Sequence, residues 1–208
     1  TLAVGIRVNE DDRIALLKAS SQPGGVNYKK TLGYFGDHDG GDDNTGANRL
    51  EVEAGAVRDV ALNPCESTNL MLTESPDVIA PVPVYARVWY DIGKVIMTFS
   101  EYIDSTPGSL LNLAGISIGN VSDAEDIVLS GNSIIEEDGV NITVTLNEKQ
   151  RNKGLRMSGV KGGDGGTAFL NFQSNSVLDI AGNPNVAPKS LLIDEIPDTR
   201  PPEVIGSE

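Results

Sequence analysis

The chain has 208 residues and a mass of 22.0 kDa, room for one large domain or two small ones, each with a core of its own. Sixteen Lys and Arg stand against 30 Asp and Glu, a formal net charge of -14, which argues against nucleic acid or an anionic membrane surface and makes a cation the natural ligand. A single Cys and a single His exclude an intrachain disulfide framework and a Cys/His zinc centre. No apolar run approaches the roughly 18 residues of a membrane-spanning helix. The chain opens on Thr1 without the pattern of a signal peptide, which points to a processed or partial polypeptide.

Gly at 23 and Pro at 11, with little helical periodicity, predict short strands joined by turns. Within residues 77–196, Val84, Ala86, Val88 and Tyr90 alternate with Tyr85, Arg87 and Trp89, the period of a strand. The Asp91-Ile92-Gly93-Lys94 stretch then reads as a tight hairpin turn into a strand over 95–99. Further strands are expected over 115–118, 126–129, 133–135, 140–146, 155–158, 168–172 and 190–193. In the 140–146 strand the apolar residues alternate with Asn141, Thr143 and Thr145, so one face is wet. A single helical turn is expected over 148–153.

The chain repeats itself. Val57-Arg58-Asp59-Val60-Ala61-Leu62-Asn63-Pro64 returns as Val177-Leu178-Asp179-Ile180-Ala181-Gly182-Asn183-Pro184, an offset of 177 minus 57, or 120. Downstream, Leu70-Met71-Leu72 with Pro76-Asp77 returns as Leu191-Leu192-Ile193 with Pro197-Asp198, an offset of 198 minus 77, or 121. Upstream, Val8-Asn9-Glu10 and Arg13 match Leu146-Asn147-Glu148 and Arg151, an offset of 151 minus 13, or 138. Residues 1–75 therefore read as the second half of a repeat carrying an acidic insertion near 36–46. Residues 77–196 read as a complete repeat, and 197–208 as a linker with the first strand of a third. The partial first repeat is completed either by more of the same polypeptide or by a strand from a neighbouring chain.

Thr98-Phe99-Ser100-Glu101, the Asn147-Glu148-x-x-Arg151 turn, Val177-x-Asp179-Ile180-Ala181-Gly182-Asn183 and the Pro201-Pro202-Glu203-Val204 restart together resemble the tandem immunoglobulin-like, cadherin-like repeats of large extracellular proteins. Such repeats occur in bacterial surface-layer proteins and adhesins and in cell-surface proteins of microalgae. The resemblance implies an all-β fold of tandem antiparallel sandwiches, the first and last only partly contained. It implies an extracellular or cell-surface structural or adhesive role as a filament, stalk or coat, with copies of itself or adjacent repeats as partners and no catalytic residue. The first copy departs from the pattern at Leu62, where the second has Gly182.

Candidate ligand sites lie elsewhere in the sequence. Asp37, Asp39, Asp42, Asp43 and Asn44, interleaved with Gly, resemble an oxygen-rich Ca²⁺ loop, although EF-hand spacing is absent. The alternative is a solvated acidic hairpin tip. Glu74, Asp77, Asp194, Glu195 and Asp198 sit beside prolines in the linkers, where they would hold Ca²⁺ or where the prolines alone stiffen the joint. Asp59 with Asn63, and Asp179 with Asn183, are expected to close turns through side-chain to backbone bonds. Asn120 and Asn141 open N-x-S/T glycosylation signals. Cys65 either pairs, in an oxidising compartment, with another chain or with a further part of the same polypeptide, or stays a buried thiol. Gly115-Ile116-Ser117-Ile118-Gly119 matches a nucleophile elbow by letter only, since no helix pattern follows and His38, in the acidic loop, precedes it. Carboxylate runs at Glu101 with Asp104 and at 136–138 read as turns and solvated strand ends. A Ca²⁺-dependent module that binds a glycan or a protein is the second functional expectation.

Overall fold

The structure, a computed structural model, describes residues 5–20, 22–25, 49–120, 126–135, 137–186 and 189–201. The chain divides into two compact units, Thr1–Val78 with Ile180–Gly182, and Ile79–Asp179 with Asn183–Glu208. Strands make up 34% of the described residues, which also hold two α-helices, so the protein is mostly β.

In the first unit, helix α1 (Glu10–Ala19) starts at Asn9, whose side chain accepts a bond from the Asp12 N–H at 2.8 Å. Glu10, Asp11 and Asp12 fill its first turn and Lys18 its last, matching the helix dipole. Strands β1 (Arg49–Val52) and β2 (Thr68–Met71) pair antiparallel with Leu50 opposite Leu70.

The second unit holds β3 (Pro83–Trp89), β4 (Lys94–Ile103), β5 (Ile116–Gly119), β6 (Ile127–Val128), β7 (Ser133–Ile134), β8 (Gly139–Thr145), α2 (Glu148–Arg156), β9 (Phe169–Phe172) and β10 (Lys189–Ile196). All eight strands belong to one sheet in the order β6-β5-β9-β10-β3-β4-β8-β7. Strand β10 is its pivot. Lys189 to Leu192 run antiparallel to β9, while Ile193 to Ile196 run parallel to β3. The sheet curls about a core in which Tyr90, Met97, Ile103, Leu170 and Phe172 are completely or almost completely buried. Phe99 meets Phe172 edge-on, with ring centres 5.8 Å apart, the arrangement aromatic quadrupoles favour.

The structure departs from the sequence expectation in four places. The β3–β10 pair is parallel, and the strands form one curled sheet instead of a purely antiparallel sandwich, because one long strand serves both halves. Residues 155–158 are not a strand: α2 runs through Arg156, and Ser158 bonds back to the Leu155 carbonyl. A capping box at Asn147 and Gln150 commits this segment to a helix, against which the short Leu155-Met157 alternation has no weight. Residues 10–19 are also helical, started by the Asn9 side chain, which accepts from the Asp12 N–H. Val84 is 51% exposed because a register shift between Pro83 and Tyr85 breaks the alternation, leaving Ala86, Val88 and Tyr90 inward.

The turn after α2 depends on Gly163. A Cβ there would lie 2.1 Å from the Ser158 carbonyl oxygen, a backbone atom that cannot move aside. A Cβ on Gly139, by contrast, would meet nothing closer than 3.9 Å. Urea denaturation followed by Trp89 fluorescence should therefore show Gly163→Ala destabilised by about 1–3 kcal/mol, with Gly139→Ala changed by no more than about 0.5 kcal/mol.

Candidate functional site

Two copies of one polar framework are built from the repeated residues. Arg13 forks onto Glu10 at 2.7 and 2.8 Å and reaches Asp77 at 2.5 Å. Arg151 forks onto Glu148 at 2.9 Å through both nitrogens and reaches Asp198 at 3.2 Å. The spacing of one helical turn between Glu and Arg allows the paired bonds. In both copies the arginine thus ties the helix to the aspartate of a Pro-Asp linker. Glu148 is in turn held below the usual carboxylate range, chiefly by its bond from Arg151.

The second shared element is the Asp–Asn turn. Asp59 accepts from the Asn63 backbone and side-chain N–H groups, both at 2.9 Å, and Asp179 accepts from Asn183 at 2.7 and 2.8 Å. Leu62 takes φ 69° where Gly182 takes φ 88°, so the substituted turn keeps its left-handed geometry although an L side chain disfavours it. Cys65 stands in for Asn185. Its sulfur accepts from the Val57 N–H at 3.4 Å and lies 3.5 Å from the Glu53 carbonyl. The Asn185 amide accepts from the Val177 N–H at 3.0 Å and donates to the Gln173 carbonyl at 2.8 Å. Cys65 is a free, half-buried thiol.

The linker carboxylates expected to gather a cation are largely engaged by neighbours. Asp194 accepts from the Tyr85 hydroxyl at 2.6 Å and from Arg87 at 2.8 Å, and these contacts, Tyr85 first, hold its carboxyl below the usual range. Glu195 accepts from the Tyr90 hydroxyl at 2.7 Å and the Gly159 N–H at 3.1 Å. Burial, reinforced by Glu195, pushes the Tyr90 phenol up. Asp198 is held by Arg151, and Glu74 is half-buried away from any acidic cluster among the described residues.

Asp77 is likewise held by Arg13, at 2.5 Å. In the second unit, Glu101 and Asp179 are 6% and 2% exposed. A carboxylate oxygen of one lies within 4.8 Å of a carboxylate oxygen of the other, about twice a cation–oxygen distance. Such an all-oxygen donor pair suits a hard cation. Two ionised carboxylates at 4.8 Å repel by roughly 3–4 kcal/mol at an effective dielectric near 20, which a cation or a shared proton would relieve. Glu101, expected at a solvated strand end, is instead inward-facing. It follows Val95, Met97 and Phe99 in phase along β4, and that phase is the signal by which the sequence could have revealed it.

The acidic loop with Asp37, Asp39, Asp42, Asp43, Asn44 and His38 lies outside the described residues. Asn120 and Asn141 are both exposed, and Asn141 accepts from Thr98 at 2.7 Å. Val121 and Ser122 of the first glycosylation signal lie outside the described residues. Ser117 sits within β5 opposite Val128 and Asn171, not at a strand-to-helix elbow. No helix among the described residues is long and apolar enough to cross a membrane.

The Asp194 contact sets an acid dependence. Its folded-state pKa is depressed, so its stabilisation is present above the unfolded value near 3.9 and is lost as pH falls through the folded one. The thermal midpoint of the second unit should fall below about pH 4, and Arg87→Met should flatten that fall when Trp89 fluorescence is followed from pH 6 to 2.

No family model matches the chain, and neither the curated proteins nor the solved structures provide a match.

Proposed function

We propose that the chain is a non-enzymatic structural or adhesive segment of an extracellular array of immunoglobulin-like repeats, acting as a filament, stalk or surface coat. The observation that carries this reading is the polar framework built twice. An Asn-capped helix, its Arg–Glu–Asp fork, a β hairpin and an Asp–Asn turn recur at the offsets of the sequence repeat. Recurrence of a whole supersecondary unit is how stacked-repeat proteins are composed. The fork also has a use in such an array. Each helix arginine grips the aspartate that opens a proline-bearing linker, fixing where that linker starts on its own repeat.

The native polypeptide should have a mass well above 22.0 kDa, and enzymatic removal of N-glycans should lower it through Asn120, Asn141 or both. Intact-mass measurement before and after glycosidase treatment checks this. A native chain near 22.0 kDa without glycan would reject the extracellular array.

The neighbouring carboxylates of Glu101 and Asp179 favour a second reading, a Ca²⁺-dependent module that binds a glycan or protein. Their donor set, oxygen only, suits a hard cation. On this reading, 1 mM Ca²⁺, at on the order of 100 times Kd, raises stability by about 2.7 kcal/mol over the same protein in chelator. Glu101→Gln should abolish the difference in a thermal melt. Equal midpoints with and without Ca²⁺ would remove this reading.

A further inference from the structure

The repeated framework states what should cover an apolar face that the described residues of the first unit leave open. In the second unit Leu170, Phe172 and Val177 are 0%, 2% and 0% exposed, because β3, β4 and β5 close over them. Their counterparts at an offset of 120 (170 minus 50) are Leu50 and Val52, both half-buried, and Val57, 47% exposed. Hairpin registers are the same in both copies: Arg49 faces Met71 as Phe169 faces Leu192. Among the described residues β1 and β2 pair only with each other, whereas β9 also pairs with β5 and β10 with β3.

We infer that the β1–β2 hairpin of the first unit is the seat for a strand-bearing half-repeat with the apolar pattern of residues 79–146, supplied by a further repeat module. A second copy of this chain is a poor donor, because its own 79–146 segment is already closed by β9 and β10. The register is set by equivalence. A β5-like strand runs antiparallel to β1, with its Ile118 equivalent opposite Leu50, as Ile118 stands opposite Leu170. A β3-like strand runs parallel to Leu72 and the residues after it, as β3 runs beside Ile193. A strand that brings alternate apolar side chains supplies hydrogen bonds and core at once.

This inference rests on the repeat reading given above. The test is a fusion placing a second copy of residues 79–146 ahead of Thr1 through a flexible Gly/Ser linker, compared with the parent chain by amide hydrogen exchange. The amides of Leu50, Glu51, Val52, Leu72 and Thr73 should exchange at least about a hundredfold more slowly in the fusion, with those of β9 unchanged. Val52→Asp with Val57→Asp should return them to the parent rates without altering β9. Unchanged exchange in the fusion would overturn the inference, as would protection that survives the double substitution. So would a parent chain that is already dimeric by light scattering with these amides protected, since the seat would then belong to a second copy. A fusion that fails to close beside a native polypeptide of high mass would reject this seat and leave the array reading intact.

Discussion

Everything in the second unit hangs on β10 changing partners halfway along. Its first four residues complete an antiparallel set with β9, β5 and β6, and its last four open a parallel contact with β3 that leads on to β4, β8 and β7. One continuous backbone therefore fixes both halves of the curled sheet in register. The core side chains of β4, such as Met97 and Phe99, can then meet those of β9 without a second sheet having to dock. Glu195, near the end of β10, accepts from Tyr90 and from the Gly159 backbone, pinning the turn after α2 to the same strand.

The arginine forks perform the corresponding task for the chain outside the sheet. Arg151 is satisfied by Glu148 on its own helix, by the Tyr90 carbonyl at the end of the β3 segment and by Asp198 beyond β10. Three separate stretches of backbone are thereby referred to one planar group, whose fixed donor geometry a lysine could not reproduce. Arg13 repeats this arrangement with Glu10 and Asp77. The exchange of Asn185 for Cys65 shows what the framework tolerates. A thiol can accept from the same N–H and approach the same carbonyl, but as a weak donor and acceptor at longer range.

Much of this was legible in the letters. The β3–β4 turn at Gly93, the wet face of β8 and the Asp–Asn turns follow from period and side-chain chemistry, and the internal offsets identified the residues that play matching roles. The helices were less legible, because α1 and α2 are announced by a cap and a fork instead of an apolar stripe, and α2 contains Gly154, a poor helix former, where Tyr90 approaches. The parallel pairing of β3 with β10 joins residues more than 100 apart, and no local pattern records it. Glu101 was misplaced because a carboxylate reads as solvent-facing by type, while its phase along β4 turns it inward. Asp194 and Asp198 looked alike as free linker acids, yet each has an arginine that only the fold brings to it.

The parallel β3–β10 contact has a mechanical meaning. Both strands run the same way, so tension applied at the start of β3 and the end of β10 draws them past each other lengthwise. The bonds between Ala86–Trp89 and Ile193–Ile196 then bear load together, in shear, and do not open one after another as they would in a hairpin pulled at its free ends. Traction from the start of β3 to the end of β10 thus falls on a pairing arranged to resist it.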